Sequence, residues 1–224
     1  MVNVFLKNKY NYLMSALIGL MMCGPLLSQD KQLFAIWTDS TLSVTNTAKD
    51  VAYMSEEEKK VVFYINLCRI NPPLFAETYL NDYLKNNDIK KDKAVKELIE
   101  ELEKTYSKQL LYPNELLTSV ARKQALDMGT TGRTGHNASD GTTFHERIAD
   151  LATKFQGVNE NANYGQKQAE DIVIDLLIDR DVPNVGHRRN ILDEDMKFIG
   201  VAIEPHKKWE FNCVQDFAGP KAAN

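Results

Sequence analysis

The run Gly186-His187-Arg188-Arg189-Asn190-Ile191-Leu192, with Ile199-Gly200-Val201-Ala202 a few residues on, decides how this chain is read. Taken alone, His187 follows a glycine and is explained as a helix-start residue with a structural hydrogen bond. Downstream, residues 198–203 and 209–217 are rich in strand formers. Pro205-His206-Lys207-Lys208 lies between them, so the pair reads as a β-hairpin. Upstream, Ala169, Ile172, Val173 and Leu176 recur at helical spacing, and Asp179-Arg180-Asp181 close that helix. Asn159 to Tyr164, after Gly157, reads as an extended segment or strand.

Working further back, Thr143 to Phe155 reads as one helix through Phe144, Ile148, Leu151 and Phe155, with Thr143 and Glu146 at capping-box spacing. Glu146 is thereby explained as a cap. Gly129 to Gly141 is a polar, Gly-rich loop holding His136. Leu117, Val120, Ala121 and Met128 mark a helix before it. Val95, Leu98, Ile99 and Leu102 mark another, whose Lys- and Glu-rich face is solvated. The charged stretch Lys85 to Asp92 links that helix to a short one over Leu74 to Leu84. Ser55-Glu56-Glu57-Glu58 fits a capping box for a helix through Val61, Tyr64, Ile65 and Cys68. Pro72-Pro73 ends it, because a residue before proline avoids the helical region. The order of helices, one strand, a helix and two strands predicts an α/β (α+β) domain, a small sheet covered by helices.

The start of the chain reads as an export signal over residues 1–28: Lys7 and Lys9, an apolar run from Tyr12 to Leu27, then Ser28 before polar Gln29-Asp30-Lys31-Gln32. Cleavage after Ser28 is the preferred reading; a lipid anchor on Cys23 and an uncleaved membrane helix are the alternatives. Residues 29–54 read as a loosely attached N-terminal extension, 55–220 as the domain and 221–224 as a tail. Setting Lys7 and Lys9 aside, 25 basic residues stand against 31 acidic ones, which argues against a nucleic-acid partner needing a basic face. Cys68 and Cys213 remain in the mature chain, paired or as two buried thiols. The oligomeric state is open.

His136 and His187 lie in or beside loops, common homes for functional groups. Two neutral imidazoles can share a divalent metal, with Glu160 or Asp179 completing or orienting the site. The same four groups can serve as an acid/base cluster. Each also has an ordinary explanation: a surface histidine, a helix start, turn chemistry between Asn159 and Asn161, a solvated helix end.

The motifs together resemble the CAP domain (cysteine-rich secretory protein, antigen 5, pathogenesis-related 1). Arg69-Ile70-Asn71-Pro72, Gly135-His136, Asn159-Glu160-Asn161, Gly186 to Leu192, Ile199 to Ala202 and Asp216-Phe217-Ala218 stand in that family's order, from Glu57 to about Ala218. Asn159 stands where the family has glycine, and the cysteine framework of animal and plant members is absent. The resemblance implies a three-layer α-β-α sandwich with a small, mainly antiparallel sheet and a cleft holding His136, Glu160, Asp179 and His187. Asp179 is shorter than the usual glutamate, and the segment from Asp179 to Val185 is longer than in many bacterial members.

It also implies action outside the cytoplasm, in the medium, the periplasm or the cell envelope. The first expectation is a binding module that uses the cleft, with zinc or another divalent metal on His136 and His187, to hold a lipid, peptide or envelope partner. The second is a metal-dependent hydrolase with Glu160 as base; no Gly-x-Ser-x-Gly elbow or phosphate-binding loop is present, and His145-Glu146-Arg147-Ile148-Ala149 lacks the second histidine of a zinc-protease helix. The third is a cluster that only ties helices to the sheet.

Overall fold

A computed structural model describes residues 36–221 of the chain. The residues read as an export signal, Cys23 and residues 222–224 lie outside the described residues. No helix among the described residues is long and apolar enough to cross a membrane.

Among the described residues, eight α-helices surround a four-stranded sheet. They are α1 (Asp39–Thr45), α2 (Glu56–Ile70), α3 (Pro72–Phe75, a π-helical turn Ala76–Leu80, then Asn81–Asn86), α4 (Lys93–Lys104), α5 (Glu115–Thr131), α6 (Phe144–Arg147), α7 (Ala169–Ile178) and α8 (Gly186–Leu192). The strands are β1 (Tyr112–Pro113), β2 (Phe155–Tyr164), β3 (Phe198–His206) and β4 (Glu210–Pro220), in the order β1-β3-β4-β2. β3 and β4 form the expected hairpin, β2 pairs antiparallel with β4, and β1 runs parallel to β3.

Strand alternation divides the core between two faces. Ile199, Val201, Cys213 and Phe217 face the large cluster built with α2, α3, α4, α7 and α8. Ala202 and Val214 pack on Ala121 and Ala125 of α5. Small side chains on that second face let α5 approach closely: a Cβ on Gly200 would lie 2.2 Å from the carbonyl carbon of Leu117 and the nitrogen of Thr118. The result is the three-layer α-β-α sandwich.

Ser55 and Glu58 form the reciprocal capping box at the start of α2. Glu58 also accepts from the Ile203 amide and pairs with Arg122, so the cap fastens α2 to β3 and α5. Two arginines from the quoted motifs are wholly buried and serve helix ends whose carbonyls have no intrahelical donor. Arg188 donates to the carbonyls of Leu177 and Ile178 at the end of α7. Arg69 donates to that of Ile191 in the last turn of α8 and to those of Asp193 and Met196 beyond it, and burial lowers its pKa to about 10.

Two expectations change, and one open alternative is decided. The helix read over Thr143 to Phe155 is only α6, a turn and a short 3₁₀ segment, and Phe155 already belongs to β2. Two of its apolar positions, Ile148 and Leu151, are buried against Leu117 and Ala218 and two, Phe144 and Phe155, are partly buried, but the free edge of β4 captures the backbone from Phe155 onward. The described part of the stretch read as a loose extension is packed: Trp37, Ala48 and Met54 enter the main core, and Asn66 of α2 donates to the Thr45 carbonyl and the Thr47 hydroxyl. Cys68 and Cys213 are both buried and unpaired, and burial raises both thiols.

Candidate functional site

The four sequence-derived residues form two separate pairs, one on each side of the edge strand β2, which carries Glu160. Glu160 lies opposite Asp216 and shares its face with Val158 and Ala162, toward α5. Asn161, one residue on, points to the opposite face, toward α8.

On the α5 side, the His136 Nδ1 is 2.8 Å from the Glu160 Oε1. The histidine side chain is 47% exposed and the glutamate 1%. The loop is held from several directions. Gly135, at φ 114°, adopts a backbone that favours glycine, and its amide donates to the Tyr164 hydroxyl. Buried Gln124 of α5 donates to the Gly135 carbonyl. Arg147, at the end of α6, donates to the His136 carbonyl and, at 2.6 Å, to the Glu160 Oε2. Both carboxylate oxygens are thus engaged.

On the α8 side, the His187 Nδ1 is 2.7 Å from the Asp179 Oδ1. That histidine side chain is 21% exposed and the aspartate fully buried. Asp179 Oδ2 accepts from the His187 and Arg188 amides, two first-turn donors that α8 leaves unsatisfied. Reaching that point bends the chain hard: Asp179, Asp181, Asn184 and Val185 all have positive φ, from 46° to 60°. For a β-branched residue such as Val185 that is a costly conformation, of the kind found where surroundings fix the backbone.

Neighbouring asparagines join the two pairs across β2. Asn161 donates to the His187 carbonyl at 3.1 Å. Asn190 of α8 donates to the Asn161 side chain at 2.8 Å and to the Glu160 carbonyl. Beneath Glu160 lies Asp216, fully buried, with no amide, hydroxyl or cationic donor on either oxygen and the Glu160 carboxylate as its polar neighbour. Burial, then the charge of Glu160, raises its carboxyl well above the usual range.

Sequence reading picked out both histidines and both acids, but not Arg147, Asp216, Asn161 or Asn190 as working parts. Asp216 was signalled: with Val214 and Ala218 it falls on an inward-facing register of β4. Arg147 carries no such signal, because its role depends on where a loop folds back.

In each pair a carboxylate on Nδ1 assigns the proton to that nitrogen, so the neutral ring presents a bare Nε2 lone pair. Its complement is a hydrogen-bond donor or a cation. Among the described residues, no three His, Cys, Asp or Glu side chains converge to hold a metal. Glu160 and Asp179 have their oxygens committed, so they orient the rings instead of ligating. The donor set does not fit a zinc centre with three or four protein ligands. Two cavities lie nearby, and neither is lined by His136 or His187. One, of about 490 Å³, lies between α5 and the 138–151 segment beside Arg147. The other, of about 430 Å³, is lined by Asp179, Arg188, Asp92 and Glu97.

No curated protein matches the chain. Similar solved structures include an extracellular protein containing an SCP domain from Bacillus anthracis (22% identity, 50% of this chain and 34% of that one, TM-score 0.41). An outer surface protein from Borrelia burgdorferi shows 21% identity over 59% of this chain and 97% of that one, with a TM-score of 0.43. Venom allergen-like protein 4 from Schistosoma mansoni shows 13% identity over 75% and 92%, with a TM-score of 0.45. The chain thus spans about a third of the length of the Bacillus protein. The model of the cysteine-rich secretory protein family, CAP, matches residues 65–217, taking in both carboxylate–histidine pairs and the hairpin. With that match spanning more than half of its length, the chain belongs to the cysteine-rich secretory protein (CAP) family.

Proposed function

We propose that this chain is an exported binding module, acting outside the cytoplasm, whose ligand contacts are the outer ring edges of His136 and His187. The observation that carries the reading is the shared construction of the two pairs: a buried carboxylate holds Nδ1 while the ring reaches solvent. The partner, a lipid, peptide or envelope component, offers hydrogen-bond donors to the Nε2 atoms. Zinc or another divalent cation, if taken up, would find only the two imidazoles as protein ligands among the described residues. Extracytoplasmic action is supported by the export-type start of the sequence.

Hydrolysis is the weaker reading. Glu160 has both oxygens bonded and almost no exposure, which leaves it without access to a water molecule. One observation favours a structural role for part of the cluster: Asp179 satisfies two amides of α8.

Calorimetric titration of zinc at neutral pH separates these readings. Saturable heat in the wild type, lost in a His136→Ala/His187→Ala variant that still folds, supports the binding module. Heat retained in the variant removes the imidazole pair from the account. A His187→Ala protein that melts lower yet binds zinc as before assigns His187 to structure.

A further inference from the structure

Three loops come together at the end of the molecule where the β3–β4 hairpin turns. The Lys207 amide donates to the Gly129 carbonyl at the end of α5. The Lys208 methylenes lie over Gly132, close enough that a Cβ there would sit 3.2 Å from them. Gly165, leaving β2, donates to the Phe211 carbonyl. Buried His206 fastens the turn: its Nε2 donates to the Arg133 carbonyl, and its Nδ1 accepts from the Lys208 and Trp209 amides.

This fastened end carries an unusual set of side chains for an acidic chain. Lys207, Lys208, Lys167 and Arg133 are all exposed, and none is in an ion pair among the described residues. Lys167 lies over the Phe211 ring, 5.0 Å from its centroid. Glu210 is the turn's own carboxylate. Trp209, which follows Lys207 and Lys208 in the turn, is 43% exposed, whereas Trp37 is buried in the core. The same loop leads from Arg133 through Gly135 to His136, so the patch adjoins the His136–Glu160 pair.

We propose that this end of the protein is a docking surface for an anionic lipid bilayer, with Trp209 seated at the headgroup level and the four cations over the phosphates. Charge complementarity selects the partner: four unpaired cations stand on a chain whose formal net charge is -4, so the attraction is local. The large exposed indole selects a bilayer over a soluble polyanion, since indole gains from a boundary that is apolar on one side and wet on the other. Juxtaposed lysines supply attraction that falls off within a Debye length. A protein so docked holds its His136 loop next to the membrane surface.

The experiment follows tryptophan emission and acrylamide quenching of the full-length chain on vesicles of phosphatidylcholine alone or mixed with phosphatidylglycerol. The chain has two tryptophans, Trp37 and Trp209, so an apolar leader inserting in the bilayer adds no signal of its own. The expected result is a blue shift with loss of quenching on anionic vesicles only. It disappears in Trp209→Phe and at high salt, and affinity falls about tenfold or more in Lys207→Glu/Lys208→Glu. The salt series on wild type needs no variant, and Lys167→Glu provides a second one. An equal shift on neutral vesicles, no shift at all, an unchanged affinity in the charge reversals, or the same shift with soluble polyphosphate would overturn the assignment.

Discussion

Asp216 lies directly across the β2–β4 ladder from Glu160, on the same face, and is more deeply buried than the residue it supports. Two carboxyls so placed do not both ionise readily, and Arg147 and His136 are bonded to Glu160. Asp216 is therefore the neutral member of the pair.

The consequence is a pH dependence of stability. The Asp216 carboxyl is raised above 3.8 by burial first and the Glu160 charge second, so the folded chain keeps a proton that the unfolded chain has released. Stability from this group is highest below the unfolded value and declines as pH rises toward the folded one, by up to about 1.4 kcal/mol per pH unit. Asp216→Asn removes that decline. Urea unfolding at about pH 5 and about pH 7 checks it, with a gap in favour of the variant that widens at the higher pH. Asp175, raised by burial, has the same sign and leaves a residual slope in both proteins. Parallel stability curves for variant and wild type would contradict the account.

Arg147→Met leaves the buried Glu160 without its guanidinium partner and frees the His136 carbonyl. Breaking a buried pair by removing one member costs about 3 kcal/mol or more. Denaturant unfolding measures the loss, and faster amide exchange through residues 133–138 marks the loosened loop.

Gly200→Ala places a methyl group 2.2 Å from the backbone of α5 at Leu117 and Thr118. No flexible side chain there can yield, so α5 must shift. The expected loss is about 2–3 kcal/mol, read as a lowered urea midpoint at unchanged slope.

Asn66→Ala removes the donors to Thr45 and Thr47 and the pair of bonds with the Leu111 backbone. Buried carbonyls left unsatisfied cost about 1–3 kcal/mol each. Limited proteolysis then cuts first within residues 46–54, where the wild type resists.

Much of this architecture is legible in the sequence because its signals are local. The Ser55–Glu58 box, the Pro72-Pro73 stop and the hairpin around residues 205–208 each state their structure within a few residues. The helix expected through Phe155 fails because helical spacing and the burial of Ile148 and Leu151 are equally satisfied by a turn feeding an edge strand. The pairing of β2 with β4 is a non-local fact. The His–carboxylate pairs depend on motif order, since residues 24 and 8 positions apart give no local sign of contact. Arg147 enters only through tertiary folding. Residues 37–54 looked loose because their anchors, Trp37 and Met54, are spaced without a period.

The central claim is that two histidines are held as Nδ1–H rings with Nε2 open to a ligand, and long-range proton–nitrogen spectra of the imidazoles above neutral pH test it most directly. His206 is the internal contrast, because its Nε2 donates to Arg133 while its Nδ1 accepts backbone amides. The account predicts Nδ1–H tautomers for His136 and His187, an Nε2–H tautomer for His206, and zinc perturbing the Nε2 resonances of the first two only. Nε2–H tautomers at His136 and His187 would show that their outward nitrogens carry no free lone pair, and would contradict it.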